Sequence, residues 1–332
     1  MVDEAKFKIR LMRNVLIIGL VLTLVKFLAW RFTHSNAILT DALESIINIV
    51  AAGFGLFSLL YANRPRDTNH PYGHGKVEFF AVGFEGALIF LAGCGMIIKA
   101  LFLFVNPPEI HQLNLGVYLI GATAIVNFLL GRYLIQRGKL FHSNTLIADG
   151  QHLITDTYSS VVLIVGLVVI LLTGEYKIDI FLTIGLGIYI LVVGYRLLRN
   201  STAGLMDETD FDLIEKVIEV LNKERREKWI DIHNLRVARY GASLHIDTHL
   251  TLPWYDQLQT SHDEVKALEK LVNHHFKNRV EFFIHTDPCT PESCSICSIS
   301  NCEVRRHLFN KKLEWDMKLL MANQKHSIED AD

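Results

Sequence analysis

The residues best suited to hold a divalent cation fall first in two apolar stretches with matching patterns. One reads Asp41-Ala-Leu-Glu44-Ser45-Ile-Ile-Asn48, the other Asp149-Gly-Gln-His152-Leu-Ile-Thr-Asp156. Each sets polar, metal-capable groups at relative positions 0, +3 and +7, offsets that return to nearly one helix face at about 100° per residue. An ionised group in hydrocarbon costs several kcal/mol unless it is neutralised. A single polar residue there would do no more than bridge two helices by a hydrogen bond. Carboxylates in two stripes beside a histidine instead describe a transported-metal site, and a set of four nitrogen and oxygen ligands suits tetrahedral zinc.

Two further clusters have metal-ligand character. Between the two stripes runs Asp67-Thr-Asn-His70-Pro-Tyr-Gly-His74-Gly-Lys76, where Asp67, His70 and His74 can converge on one ion in a loop bent by Pro71 and two glycines. Near the C-terminus, four of the five cysteines are spaced Cys289-x4-Cys294-x2-Cys297-x4-Cys302. In a reducing compartment such a cluster is a metal site more often than a pair of disulfides. Four thiolates could close a tetrahedral zinc site, with soft-metal delivery or redox sensing as the alternatives. Cys94, alone in an apolar run, reads as a small core residue.

The elements that must position these groups follow from hydropathy. The chain has 332 residues, half of them hydrophobic, and its mean hydropathy is positive at +0.26. A spanning helix needs roughly 20 apolar residues, and six segments qualify: 12–33, 37–60, 79–105, 114–136, 145–173 and 178–199. The second and fifth carry the polar stripes and must turn them toward protein or water. Lys6, Lys8, Arg10 and Arg13 precede the first span; Arg64, Arg66 and Lys76 follow the second; Arg132, Arg137 and Lys139 end the fourth; Arg196 and Arg199 end the sixth. The opposite loops are poor in Lys and Arg, so the positive-inside rule puts both termini in the cytoplasm. The first apolar run reaches full spanning length without a small-residue cleavage site, so it reads as a span and not as a signal peptide. Lys26 lies near enough to an outer end to snorkel, and Glu85, inside the third span, has no assigned role.

From about residue 211 the pattern becomes that of a soluble α+β domain. A helix over 213–221, strands over 231–237 and 243–250, a helix over 262–276 and a strand over 280–285 give the order αββαβ. Residues 305–332 read as a charged helix with a disordered polar end. Three parts result: 1–205 as a six-span membrane domain, 206–288 as a soluble domain, and 289–332 as a Cys-rich segment and charged tail. A net charge of −2 and the lack of a basic patch with interleaved aromatics exclude nucleic acid as a partner. A membrane metalloprotease would need a general base such as the Glu of His-Glu-x-x-His, which the sequence lacks, so no enzyme is expected.

His152-x-x-x-Asp156 in the fifth span, the Gly-His74-Gly-Lys76 run and Ile284-His285-Thr286-Asp287-Pro288 together resemble the signatures of the cation diffusion facilitator family. The resemblance implies a membrane all-α six-helix bundle with a cytoplasmic, metallochaperone-like αββαβ domain that forms a homodimer. It also implies a divalent metal/proton antiporter of a bacterial plasma (inner) membrane. Carried over, two ligands come from each of the second and fifth helices, here Glu44 and Asn48 with His152 and Asp156. Asn48 departs from the family, whose zinc members usually have Asp there. Either Asp41 or Ser45 compensates, or selectivity moves toward harder ions such as Mn2+ or Fe2+. His152 keeps Zn2+ first, with Cd2+ also possible. The resemblance makes the loop of Asp67, His70 and His74 a peripheral second site. It places a cytoplasmic metal cluster at His233, His249, His262, His285 and Asp287, where a bound ion would draw two copies together and bias the spans. A metal sensor that does not transport is the remaining alternative.

Overall fold

The computed structural model describes residues 2–33, 36–105, 114–173, 176–241, 243–277 and 279–331; within its helices, the side chains of Asp41 and Glu44 are among those that lie outside the description. The chain divides into two compact units, Met1–Met206 and Asp207–Asp332.

The first unit is six long helices: α1 Val2–Thr33, α2 Asn36–Ala62, α3 Val77–Val105, α4 Asn114–Leu140, α5 Asn144–Thr173 and α6 Tyr176–Leu205. At about 1.5 Å per residue even the shortest exceeds the roughly 30 Å of bilayer hydrocarbon. Among the described residues, α1, α2, α3 and α6 hold windows long and apolar enough to cross a membrane. The described part of α4 carries Arg132, Arg137 and Lys139, and α5 carries Asp149, His152 and Asp156, which lowers their hydropathy. Large apolar side chains such as Leu24, Leu91, Ile98, Phe102 and Phe181 point outward, the inverse of a soluble bundle's surface.

Helix contact in lipid depends on close approach of backbones at small residues. Helices α3 and α6 meet in this way. A Cβ added at Gly194 would stand 2.6 Å from the backbone nitrogen of Phe90 and 2.9 Å from the carbonyl oxygen of Gly86. No flexible side chain can yield there, because the obstacle is backbone. Gly194→Ala is therefore expected to push α3 and α6 apart at a cost of about 1–3 kcal/mol, read as a lower melting temperature of the purified protein in detergent. An unchanged melting curve would contradict this packing.

Many hydroxyl groups inside the bundle are satisfied locally. On α5, the hydroxyls of Thr155, Thr157, Ser159 and Ser160 donate to carbonyl oxygens three or four residues back, so they cross apolar surroundings without stray donors. Glu78, at the start of α3, accepts from Ser143 at 2.9 Å. Lys26 does not snorkel. It is 8% exposed, and its Nζ donates to Ser45 Oγ at 2.8 Å, because the serine on α2 offers an acceptor nearer than the helix end.

The second unit begins with α7, Phe211–Lys223, whose first turn is capped by Asp210 accepting from the Leu213 N–H. Its buried stripe of Leu213, Ile214, Val217, Ile218 and Leu221 packs on a three-stranded sheet. Strands β1 (Asp231–Tyr240) and β2 (Ser243–Leu252) form an antiparallel hairpin. Helix α8 (Leu258–His275) then crosses over to β3 (Val280–Pro288), which lies parallel to β2, in the order β1-β2-β3. This is the expected αββαβ succession.

The tail differs from its sequence reading. Residues 305–332 are not one charged helix with a disordered end; among the described residues the helical pieces are α9 (Met317–Met321) and a short 3-10 turn at Ile328–Ala331. The segment is an extended strap, because Leu313, Trp315 and Leu320 bury into the soluble unit and interrupt its charged character. Asn222 clamps it from the end of α7, its Nδ2 donating to the Trp315 carbonyl at 2.6 Å while its Oδ1 accepts from the Trp315 N–H at 3.2 Å. Arg225 donates to the Leu313 carbonyl at 2.6 Å and to the Ile230 carbonyl at 2.5 Å, and its guanidinium lies 3.7 Å from the centre of the Trp315 ring.

Candidate metal sites

The two polar stripes meet inside the helical unit. His152 on α5 has Nε2 2.8 Å from Asn48 Oδ1 on α2, Asn48 Nδ2 donates to Asp156 Oδ2 at 2.5 Å, and His152 Nε2 lies 3.8 Å from that same oxygen. The four-residue spacing of His152 and Asp156 on α5, set against Asn48 on α2, thus produces one junction of imidazole, amide and carboxylate. The side chains of Asp41 and Glu44, expected on the α2 side, lie outside the description. Ser45 is engaged by Lys26, as described. Asp149 is buried one turn before His152.

A residue to which the sequence reading assigned no role also reaches this junction. Glu85 on α3 is 1% exposed, and its Oε2 lies 3.4 Å from His152 Nδ1. Its one sequence signal is that it is the only carboxylate in the span 79–105.

In the loop between α2 and α3, Asp67, His70 and His74 bring one ligand atom each within 4.8 Å of one another. The loop is shaped by Asp67, whose Oδ1 accepts from the backbone N–H groups of Asn69 and His70 at 3.0 and 2.7 Å. Its oxygens lie 3.0 Å from His70 Nδ1 and 3.3 Å from His74 Nε2. Desolvation pushes the Asp67 carboxyl up, but the His70 ring and the two backbone donors outweigh it and hold the group below its ordinary value. It therefore stays ionised as a ligand should.

In the soluble unit strand register sets the site. His233 on β1 pairs opposite His249 on β2, and His249 opposite His285 on β3, so three histidines form one row across the sheet. Asp287, two residues beyond His285, shares its face. His233, His249 and Asp287 bring ligand atoms within 4.8 Å. His249 Nδ1 is 2.9 Å from Asp287 Oδ2, His233 Nε2 3.4 Å from the same oxygen, and His285 Nε2 4.0 Å from Oδ1. His262 does not join them; it is exposed on α8, an element outside that row. Burial raises the Asp287 carboxyl, and the His249 contact, Lys325 and His233 more than reverse this, so it is held below its usual value. Two nitrogens and one carboxylate at this spacing fit a zinc-like ion with an open position.

Behind this set lie two residues whose roles the sequence did not indicate. Asp231 is buried, with Oδ2 3.4 Å from His233 Nδ1 and Oδ1 2.8 Å from His326 Nδ1 on the strap. Such a carboxylate orients a ligating imidazole. Lys325, also on the strap, has Nζ 3.5 Å from Asp287 Oδ1. Neither link is legible in the sequence, since both join residues far apart in the chain and the charge pattern of 305–332 suggests a charged helix with a disordered polar end.

Cys289, Cys294, Cys297 and Cys302 are gathered in one folded loop of free thiols. Arg305 knits it by donating to the carbonyls of Cys294, Cys297 and Ile299 at 2.8, 3.0 and 2.6 Å. Burial, with the neighbouring thiols, pushes Cys289 and Cys297 up. The four sulfurs are not drawn together as tightly as the two histidine-carboxylate groups.

A bundle of long apolar helices with buried imidazole and carboxylate groups, joined to a soluble domain with a histidine row, defines a multi-pass integral membrane protein of the cation-transporting class. Residues 13–206 match the cation efflux transmembrane domain and residues 209–289 the cytoplasmic domain of cation efflux proteins. The chain belongs to the cation diffusion facilitator family. It is 33% identical over 248 residues to an uncharacterised transporter of Synechocystis, covering 75% of this chain and 80% of that one. It is 27% identical over 276 residues to an uncharacterised transporter of Methanocaldococcus jannaschii, covering 81% and 94%. The cation-efflux pump FieF of Yersinia pestis is 26% identical over 288 residues, covering 81% and 89%.

Proposed function

We propose that this protein exports a divalent metal cation, Zn2+ first, across a bacterial inner membrane in exchange for protons. The observation that carries this reading is the junction of Asn48, His152 and Asp156 between α2 and α5. Together with Glu44, these residues take the ion from the cytosol. Rocking of the helices turns the site outward, and protonation of His152 and the carboxylates releases the ion, since metal binds the deprotonated ligands. The six helices act as six spans with both termini cytoplasmic, and the chain works as three parts, 1–205, 206–288 and 289–332, with no enzymatic activity. In the soluble domain, His233, His249, His285 and Asp287 hold a regulatory ion, His262 is left exposed for a second copy in the homodimer, and the loop of Asp67, His70 and His74 takes a peripheral ion. For the four cysteines a structural zinc ion is the first role, with soft-metal delivery or redox sensing as the alternatives.

A second reading, export of Mn2+ or Fe2+, is favoured by Asn48, a neutral hard oxygen donor where zinc members of the family usually have Asp. Purified protein in proteoliposomes under an imposed pH gradient tests both, with Zn2+, Mn2+, Fe2+ and Cd2+ run in parallel. Zn2+ accumulation that collapses with a protonophore is expected. No ion accumulating above empty liposomes, under either sign of the gradient, would overturn the proposal.

A further inference from the structure

His152 has two ring nitrogens and the structure gives them different surroundings. Nε2 faces the junction, 2.8 Å from Asn48 Oδ1 and 3.8 Å from Asp156 Oδ2. Nδ1 faces away from it, 3.4 Å from Glu85 Oε2 on α3. Glu85 is almost wholly enclosed, and neither of its oxygens has a hydrogen-bond partner among the described residues. A carboxylate in hydrocarbon without such a partner is costly, so a third helix is maintaining an expensive group against the far side of a ligand imidazole.

We infer that Glu85 is a positioning residue for the transport site, holding the Nδ1 side of His152 and, once a dication is bound at the junction, supplying the negative charge that Asn48 does not. At 3.4 Å the two atoms lie within ion-pair reach and stop short of a hydrogen bond; a carboxylate on that side favours the proton on Nδ1, leaves the Nε2 lone pair for the ion, and makes that nitrogen a stronger donor. Asn48 contributes oxygen without charge, so a dication at the junction meets Asp156 and Glu44 with one carboxylate fewer than a set with Asp at that position. Glu85 restores the balance from behind the ligand. It also ties α3 to the α2–α5 junction, so that three helices answer to the ion. This inference rests on the transport-site reading above.

The test measures initial Zn2+ uptake by the full chain in proteoliposomes over a range of Zn2+ concentration. Glu85→Gln keeps the shape and removes the charge; its KM is expected to rise roughly 10- to 100-fold, the usual effect of losing an outer partner of a ligating histidine. Glu85→Asp should recover much of the loss. Adding Asn48→Asp to Glu85→Gln should bring KM back within a few-fold of wild type, a rescue that a merely structural role would not produce. A KM for Glu85→Gln within twofold of wild type, or a raised KM that Asn48→Asp does not lower, overturns the inference. Asp156→Ala run alongside separates the two failures. If it keeps wild-type flux, the transport-site reading itself falls. If it loses flux while Glu85→Gln keeps its KM, only the role of Glu85 falls.

Discussion

Asp156→Ala is expected to reduce metal flux in proteoliposomes to the level of empty vesicles. The carboxylate is the one described anion whose oxygen faces both Asn48 Nδ2 and His152 Nε2. Its loss leaves the junction with an amide and an imidazole, two neutral donors, as the described ligands for a dication moved from water into low dielectric. It also strands the Asn48 Nδ2 donor, and an unmade buried hydrogen bond costs about 1–3 kcal/mol. Asp156→Asn separates these effects, since it keeps the shape and loses the charge. Flux lost in both variants, with melting temperature lowered only in alanine, assigns the loss to the charge. Wild-type flux in either variant would sink the site assignment.

The second large effect is on stability. Trp315→Ala removes a side chain 2% exposed, a change that costs about 3–5 kcal/mol in a core against the roughly 5–15 kcal/mol that holds a domain folded. The Arg225 guanidinium loses the ring it stacks on, although its bonds to the Leu313 and Ile230 carbonyls remain. The soluble unit should melt about 10–20 °C lower, and Lys311, Lys312, Lys318 and Lys325 on the loosened strap should become cleavable by trypsin. A tail that stays intact under digestion, with an unshifted transition, would show that the strap does not depend on this residue.

Much of the architecture was legible because it rests on periodicity. Offsets of 0, +3 and +7 in two apolar segments identified the helices that meet at the junction, and alternation in 231–250 marked the hairpin. Most element starts lie earlier than expected. Helix α7 begins at Phe211 because Asp210 caps it, and β3 runs to Pro288 because β2 offers a parallel edge along its whole length. What stayed hidden depends on pairing distant residues. Glu85 made sense only once α3 lay against α5. The strap was misread because its many charges masked three apolar residues, Leu313, Trp315 and Leu320, spaced too irregularly to announce a helix. His262 was grouped with the other histidines by resemblance, yet α8 holds it away from their row.

The histidine row has a consequence for how the sheet is assembled. His233, His249 and His285 stand side by side through residue-for-residue pairing. A strand shifted by one position turns every side chain to the opposite face; His249 would enter the core and Leu250, now fully buried, would be left in water. An ion that needs all three strands in step binds the correctly paired sheet and not the slipped one. At about 100 times its dissociation constant, such an ion favours the correct pairing by roughly 2.7 kcal/mol. An ion held by the row would in this way check the strand pairing of a newly made domain.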